Sequence, residues 1–334
     1  DKPLALPAPS SYLSGSGYES YLMVTPLFNS GFKRWHPEQL PELDGKTYVI
    51  TGGNSGIGLE AAKMLAAKGG NIIIACRNAG KAKVAAEIID KAGNGTSRYV
   101  ILDLASLESV RDAAAELKKM TPEINALINN AGIMQTPKQT TKDGFEMQFG
   151  TNHLGHFLWT GLLFGAVEAA EGRIVVVASI AHKLGRLDFD DFMSEKSYSP
   201  TAAYCQSKLA NLVFALELDR KLKAKNSPVT CYACHPGYSN TKLQSTGPGA
   251  LLTGFYKFAN VFMAQPAYNG AIPTVLCAAG LEAKPGGYYG PQAMREARGS
   301  VSDALVAGRA LDQTSASRLW HKSEELTGFV WEKP

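Results

Sequence analysis

Short β-branched runs at 47–50, 71–75, 99–102, 126–128, 173–177 and 229–233 alternate with helical stretches such as 59–68 and 107–119. Consecutive parallel strands need a crossover long enough to carry a helix, so the alternation predicts a doubly wound parallel sheet with helices on both faces. With 334 residues, 45% of them hydrophobic, the chain can bury one large core, and a single α/β domain over 44–334 is expected. Residues 1–43 differ. They interleave Pro, Ser and Gly with Tyr12, Tyr18, Tyr21, Phe28, Phe32 and Trp35 without periodicity. This reads as an N-terminal arm that either packs its aromatics on the domain or docks on a partner or a membrane surface.

A formal net charge of +4 without a Lys/Arg block offers no track for a phosphate backbone, so nucleic acid is not an expected partner. Five irregularly spaced cysteines suit a reducing compartment rather than a disulfide framework. The longest apolar stretch, 157–170, is interrupted by glycines and a glutamate, and it is shorter than the roughly 20 residues of a membrane-spanning helix. A soluble protein is expected. Because the sequence opens at Asp1 rather than Met, it reads as a trimmed chain or as a mature form after removal of a targeting peptide. The expected compartment is the cytoplasm, with a plastid or mitochondrion as the alternative.

Directly after the first core strand comes T-G-G-N-S-G-I-G, residues 51–58, and then a helix. Gly52, Gly56 and Gly58, with Asn54, Ser55 and Ile57 between them, form a tight strand-to-helix turn in which a pyrophosphate can approach the backbone and the helix N-terminus. In that context the glycines point to dinucleotide binding on a Rossmann sheet. The second strand ends A-C-R-N. Cys76 stands where a cofactor with a free ribose 2′-hydroxyl usually meets an acid, and Arg77 follows it. A guanidinium matches a 2′-phosphate, which favours NADP(H) over NAD; a surface arginine at a strand end is the plainer alternative.

Tyr204 and Lys208, in Y-C-Q-S-K, lie four residues apart on a predicted helix and so share a face. An ammonium beside a phenol lowers its pKa and makes it a usable proton donor. That is acid–base machinery for a carbonyl or an alcohol.

With the glycine turn, I-L-D-L at 101–104, N-N-A-G at 129–132, V-V-A-S ending at Ser179, Y-x-x-x-K and P-G at 236–237 in this order, the chain resembles the short-chain dehydrogenase/reductases over about 44–334. T-N-H-L-G-H-F at 151–157, the A-H after Ser179 and the ending L-W-H-K-S-E-E-L-T-G resemble the retinol-dehydrogenase-like branch. The resemblance implies roles for matching positions. Asp103 and Leu104 would hold the adenine, and Asn130, Ala131 and Gly132 would line the cofactor groove. Pro236, Gly237 and Thr241 would close on the nicotinamide end. Asn152 would support a proton path, Ser179 would orient the substrate oxygen, and Tyr204 and Lys208 would also touch the cofactor. Family members pair as dimers or tetramers, so a homo-oligomer is expected.

The expected substrate is a lipophilic carbonyl/alcohol pair, its pocket drawn from an insertion at 184–199 and from Leu243, Leu251, Leu252, Phe255, Tyr256 and Phe258. Asp188, Asp190 and Asp191 in the insertion lack a partner at metal-ligand spacing and read as a solvated loop, so no metal is expected. Cys231, Cys234 and His235 spell C-x-x-C-H, a haem-attachment pattern, but they lie on a predicted core strand with no room for haem. Two rival functions are a non-catalytic NADP-binding subunit of a larger assembly and a protochlorophyllide-reductase-like enzyme. Asn129 stands where the latter carries a cysteine.

Overall fold

The computed structural model describes residues 24–238 and 265–332. The strands β2 (Thr47–Thr51), β3 (Asn71–Cys76), β4 (Ser97–Ile101), β5 (Ala126–Asn129), β6 (Arg173–Val177) and β7 (Thr230–Cys234) coincide with the β-branched runs. All but β4 are buried along nearly their whole length, as strands covered on both faces must be, and this is why they read as continuous apolar runs. Two further strands, β8 (Tyr288–Ala293) and β9 (Arg298–Asp303), complete a sheet of order β4-β3-β2-β5-β6-β7-β8-β9. Within this sheet the chain enters at β2 and winds outward to β4. It then crosses back to β5 on the other side of β2, leaving a crevice beyond the C-terminal ends of β2 and β5.

The helices are α1 (Gly56–Ala66), α2 (Ala79–Asp90), α3 (Leu107–Met120), α4 (Gly155–Ala169), α5 (Pro200–Ala224), α6 (Ala267–Ala279) and α7 (Gln313–Thr327). They divide between the two sheet faces. Apolar residues of α1, α2 and α6 share one buried cluster, and those of α3, α4, α5 and α7 share the other. Asn78, Ser106, Ser199 and Asp312 each accept a backbone N–H in the first turn of the helix they precede. None of the described helices is long and apolar enough to cross a membrane.

Two features go beyond the doubly wound expectation. β9 runs antiparallel to β8, and β1 (Val24–Pro26) forms a separate antiparallel ribbon with β10 (Leu305–Ala307). Of the N-terminal aromatics, Tyr12, Tyr18 and Tyr21 lie outside the described residues. Trp35 is buried, bridges to Val301 of β9 and donates its indole N–H to Glu282 Oε2 at 2.7 Å, while Phe32 stacks on Tyr289. Leu40 and Leu43 join the α1/α6 core. In the 184–199 insertion the carboxylates of Asp188 and Asp191 accept amides of their own loop. Phe192 is buried in the core and Leu187, Phe189 and Met193 pack against it, while Leu184 at the start of the insertion is exposed.

Four of the chain's six histidines, His153, His156, His182 and His235, are almost wholly inaccessible. Burial pushes His153 down to about 3, His156 and His182 to about 4, and His235 well below its ordinary value. Each is therefore neutral in the fold but would take up a proton near pH ~6.5 when unfolded. Below that pH the unfolded chain binds more protons than the native one, so stability falls with falling pH until the folded values are reached.

The unfolding free energy from urea titrations is expected to drop between pH ~6.5 and ~5 by about 1.4 kcal/mol per histidine per pH unit. A flat profile across that window would contradict the assignment. Trp35→Ala is expected to cost about 3–5 kcal/mol in the same measurement, the cost of emptying a buried indole site.

Candidate active site

The crevice is held open by Thr51, the last residue of β2. Its Oγ1 accepts the backbone N–H groups of Asn130 at 2.9 Å and Ala131 at 3.0 Å, while Asn130 Nδ2 donates to Thr51 O at 2.9 Å. Thr51 Oγ1 also lies 2.9 Å from His156 Nε2, and His156 Nδ1 lies 2.9 Å from Asn152 O. A carbonyl can only accept, so Nδ1 carries the proton and Nε2 accepts from the threonine. One hydroxyl thus joins the ends of β2 and β5 to the segment entering α4.

The glycine turn meets this corner closely. Gly52 and Gly56 have φ of +68° and +55°, and a Cβ on Gly58 would sit 2.6 Å from both Asn130 Nδ2 and Gly52 O. Only glycine allows that left-handed, close-packed path. Ser55 occupies the N-cap of α1 without a side-chain cap bond, which leaves first-turn amides and the positive end of the helix dipole to an anion. Asn54, Ser55 and Ile57 are half-buried around it. This cradle fits the pyrophosphate of a dinucleotide.

Further along the crevice, a hypothetical Cβ on Gly132 would lie 3.4 Å from Lys208 Nζ. The four residues of N-N-A-G thereby connect the glycine turn to α5. Asn152 sits in a π-helical turn, Gly150–Leu154, that precedes α4, and the Gly155 N–H reaches back five residues to Gly150 O. Its side-chain Oδ1 accepts from Ile133 N at 2.8 Å, and Nδ2 donates to Ile133 O at 2.9 Å and to Ser207 Oγ at 3.0 Å. The amide is spent splinting the 130–134 loop to α5. Tyr204 and Lys208 lie one turn apart on α5, with Lys208 Nζ 6.0 Å from the phenol ring centroid. Lys208 donates to Val177 O at 3.1 Å. Ser179, just past the end of β6, lies beside the Tyr204 phenol, whose ionised form it favours, and its hydroxyl accepts the Ala181 N–H at 3.2 Å.

Electrostatics differ from the expectation for the Tyr–Lys pair. Burial pushes the Tyr204 phenol up to about 12; the Ser179 hydrogen bond opposes this, and the neighbouring Cys205 thiol adds to it. Burial brings Lys208 down to about 8. Within the protein alone, desolvation is the dominant influence on both groups.

The remaining candidates lie around this centre. Arg77 is exposed directly after β3, beside the buried Cys76. Asp103 and Leu104 follow β4, where the Asp103 carboxylate accepts Ala105 N at 3.0 Å. Pro236 and Gly237 follow β7. Gly237 has φ +67°, and its N–H donates to His235 Nδ1 at 3.1 Å. Thr241, Leu243, Leu251, Leu252, Phe255, Tyr256 and Phe258 lie outside the described residues. Cys231 and Cys234 are sealed in β7 and His235 is fully buried, which leaves the haem-like motif inside the core. His182 and His156, whose buried partners lie far away in sequence or on the backbone, carry no local signal of these contacts in A-H or T-N-H-L-G-H.

Residues 46–248 match the short chain dehydrogenase family. Human retinol dehydrogenase 13 is 40% identical over 86% of this chain and 86% of its own length, and human retinol dehydrogenase 12 is 39% identical over 93% and 95%. An uncharacterized protein from Mycobacterium paratuberculosis shares the fold with a TM-score of 0.75 at 37% identity, covering 90% of this chain and 99% of that one. The doubly wound sheet, the glycine cradle and these relatives agree: the chain belongs to the short-chain dehydrogenase family, in its retinol-dehydrogenase-like branch, and is an oxidoreductase of the CH–OH/C=O class.

Proposed function

We propose that the protein is an NADP(H)-dependent oxidoreductase acting on a lipophilic carbonyl/alcohol pair, with Tyr204 as the acid/base. The observation that carries this reading is the convergence of Ser179, Tyr204 and Lys208 on the crevice that also receives the α1 N-terminus. Bound nicotinamide supplies or accepts the hydride. The chain's own groups supply the proton and the geometry. In reduction, Tyr204 gives its phenolic proton to the developing alkoxide; in oxidation, the phenolate takes it back. The Ser179 hydroxyl orients the substrate oxygen, and Lys208 holds ribose hydroxyls.

The first turn of α1 with Gly52, Asn54, Ser55, Gly56, Ile57 and Gly58 holds the pyrophosphate, Asp103 and Leu104 the adenine, and Asn130, Ala131 and Gly132 the floor of the groove. Pro236, Gly237 and Thr241 serve the nicotinamide end. Asn152, which splints the 130–134 loop to α5, supports a proton path to the site. An exposed Arg77 with no acid at position 76 supports the choice of a 2′-phosphate. A lipophilic substrate is supported by the relatives named for retinol and by half-buried Ile133 and Met134 beside Asn152. The unit we assign to this activity is the domain 44–334, acting as a homodimer or homotetramer.

In NADPH-consumption assays with retinal and medium-chain aldehydes, Tyr204→Phe is expected to lower kcat by about 10²–10⁴-fold while NADPH still binds. Turnover at the parental rate would overturn the assignment. Arg77→Glu is expected to raise KM for NADPH and leave that for NADH little changed, and a parent enzyme that prefers NADH would refute the cofactor choice.

A further inference from the structure

We infer that His182 is the positioning residue for Ser179, and that through it the β1–β10 ribbon sets the geometry of the active site. The inference rests on the proposed roles of Ser179 and Tyr204. After β6, the chain turns through a 3-10 helix, Ile180–Leu184, with Ser179 as its N-cap. The carbonyl of Ser179 collects three donors: the His182 backbone N–H at 3.0 Å, His182 Nδ1 at 2.7 Å and the Tyr288 hydroxyl at 3.5 Å. On the far side of the ring, Ala307 N of β10 donates to His182 Nε2 at 3.2 Å. A backbone N–H can only donate and a carbonyl can only accept, so the tautomer is fixed with Nδ1 protonated. His182 is a rigid, neutral, two-ended link with no access to solvent.

Several further ties hold the same turn to the chain's C-terminal part. Arg309 donates to Gly185 O at 2.6 Å, Lys183 pairs with Glu296, and Glu296 Oε1 accepts Leu305 N at 2.6 Å. Met294, Arg295 and Glu296 have φ of +52°, +57° and +66°, three successive non-glycine residues in the left-handed region. Such strain persists only where surrounding contacts enforce it. Here it turns the Glu296 carboxylate inward, to Lys183 and Leu305. Of these ties only those from His182 and Tyr288 reach Ser179, and the His182 bond is the shorter. β10 in turn pairs with β1, Val24 opposite Ala307. The path from the N-terminal segment to the substrate-orienting serine is thus Val24, Ala307, His182, Ser179.

Asn and Gln separate the two ends of this link, since an Asn amide overlays Nδ1 and a Gln amide overlays Nε2. His182→Asn can still donate to the Ser179 carbonyl but strands the Ala307 N–H. His182→Gln can accept from Ala307 but loses the 2.7 Å side-chain bond to the Ser179 carbonyl, which keeps only the backbone N–H of residue 182 and the longer Tyr288 contact. The expected outcome is a crossed pattern. His182→Asn keeps kcat near the parent with a lowered Tm, whereas His182→Gln keeps the higher Tm but loses about tenfold or more in kcat, with KM for NADPH unchanged.

The pH profile supplies a readout that a purely structural role would not move. Tyr204 is faced by Ser179, Cys205 and Tyr288, with Lys208 one turn away; His182 is faced by Lys183, Arg309, His235 and Tyr288. Of these, Ser179 is the group that stabilises the phenolate by hydrogen bonding. In alcohol oxidation, where the phenolate is the required form, the acidic limb of the His182→Gln profile is therefore expected to move to higher pH. Parental kcat and limb in His182→Gln, or equal kcat losses in both variants that track Tm, would overturn the inference. If His182→Gln does not fold, His182→Asn decides alone: parental kcat supports the link, and a tenfold loss sinks it. Tyr204→Phe measured alongside separates the two levels. Its full activity would remove the underlying functional reading, whereas its inactivity with an unaffected His182→Gln would remove only the role of His182.

Discussion

The hydroxyl of Thr51 is the contact on which the rest of the site depends. It accepts two successive amides of the β5 turn and donates to a buried neutral histidine, so its hydrogen-bonding capacity is filled in a dry environment. An unmade bond there would leave buried amides without partners, which costs far more than a made bond contributes. Because those amides belong to Asn130 and Ala131, the same hydroxyl sets the height of Gly132 under Lys208 and the approach of Asn130 to Gly58. The place where a pyrophosphate would lie and the place where a proton would move are therefore parts of one rigid corner.

Much of this was readable in the sequence, and the reason is locality. A glycine turn between a strand and a helix, or a tyrosine and lysine one helical turn apart, is specified by neighbours within ten residues, so the pattern survives without knowledge of the fold. What escaped is non-local. The antiparallel β9 and the β1–β10 ribbon carry no period that marks their partners, and Val24 finds Ala307 only after the whole sheet has formed. His182 was visible as a letter beside Ser179, but its second partner lies 125 positions away. The burial of the Tyr–Lys pair is non-local for a related reason. Spacing gives the distance between two charges but says nothing of the desolvation each undergoes when the domain closes around them.

Burial tunes the two ends of the pair in opposite senses, keeping the phenol protonated and making the lysine easier to neutralise. A site of this kind holds its proton until an additional positive charge or a hydrogen-bond donor favours the phenolate. Ser179 is the donor the chain provides, which is why the backbone contacts that fix Ser179 bear on chemistry as well as on packing. The apolar insertion contributes indirectly. By packing Phe192 against Phe149, it braces the segment leading into the π-turn that carries Asn152.

The N-terminal segment also covers one edge of the sheet. Residues 30–35 lie along the outer side of β9. Ser30 is bonded to Asp303 at 2.6 and 2.7 Å, Ser302 Oγ to Phe32 O at 2.7 Å, and Trp35 bridges Val301. A sheet edge left bare is a template for strand addition and for aggregation. Here one margin of the eight-stranded sheet is sealed by the chain itself, while the other ends in β4, a short strand with Arg98 exposed along it. Loss of the N-terminal segment would therefore expose a sticky β-edge at the same time as it released the ribbon leading to Ser179, coupling colloidal stability to the integrity of the active site.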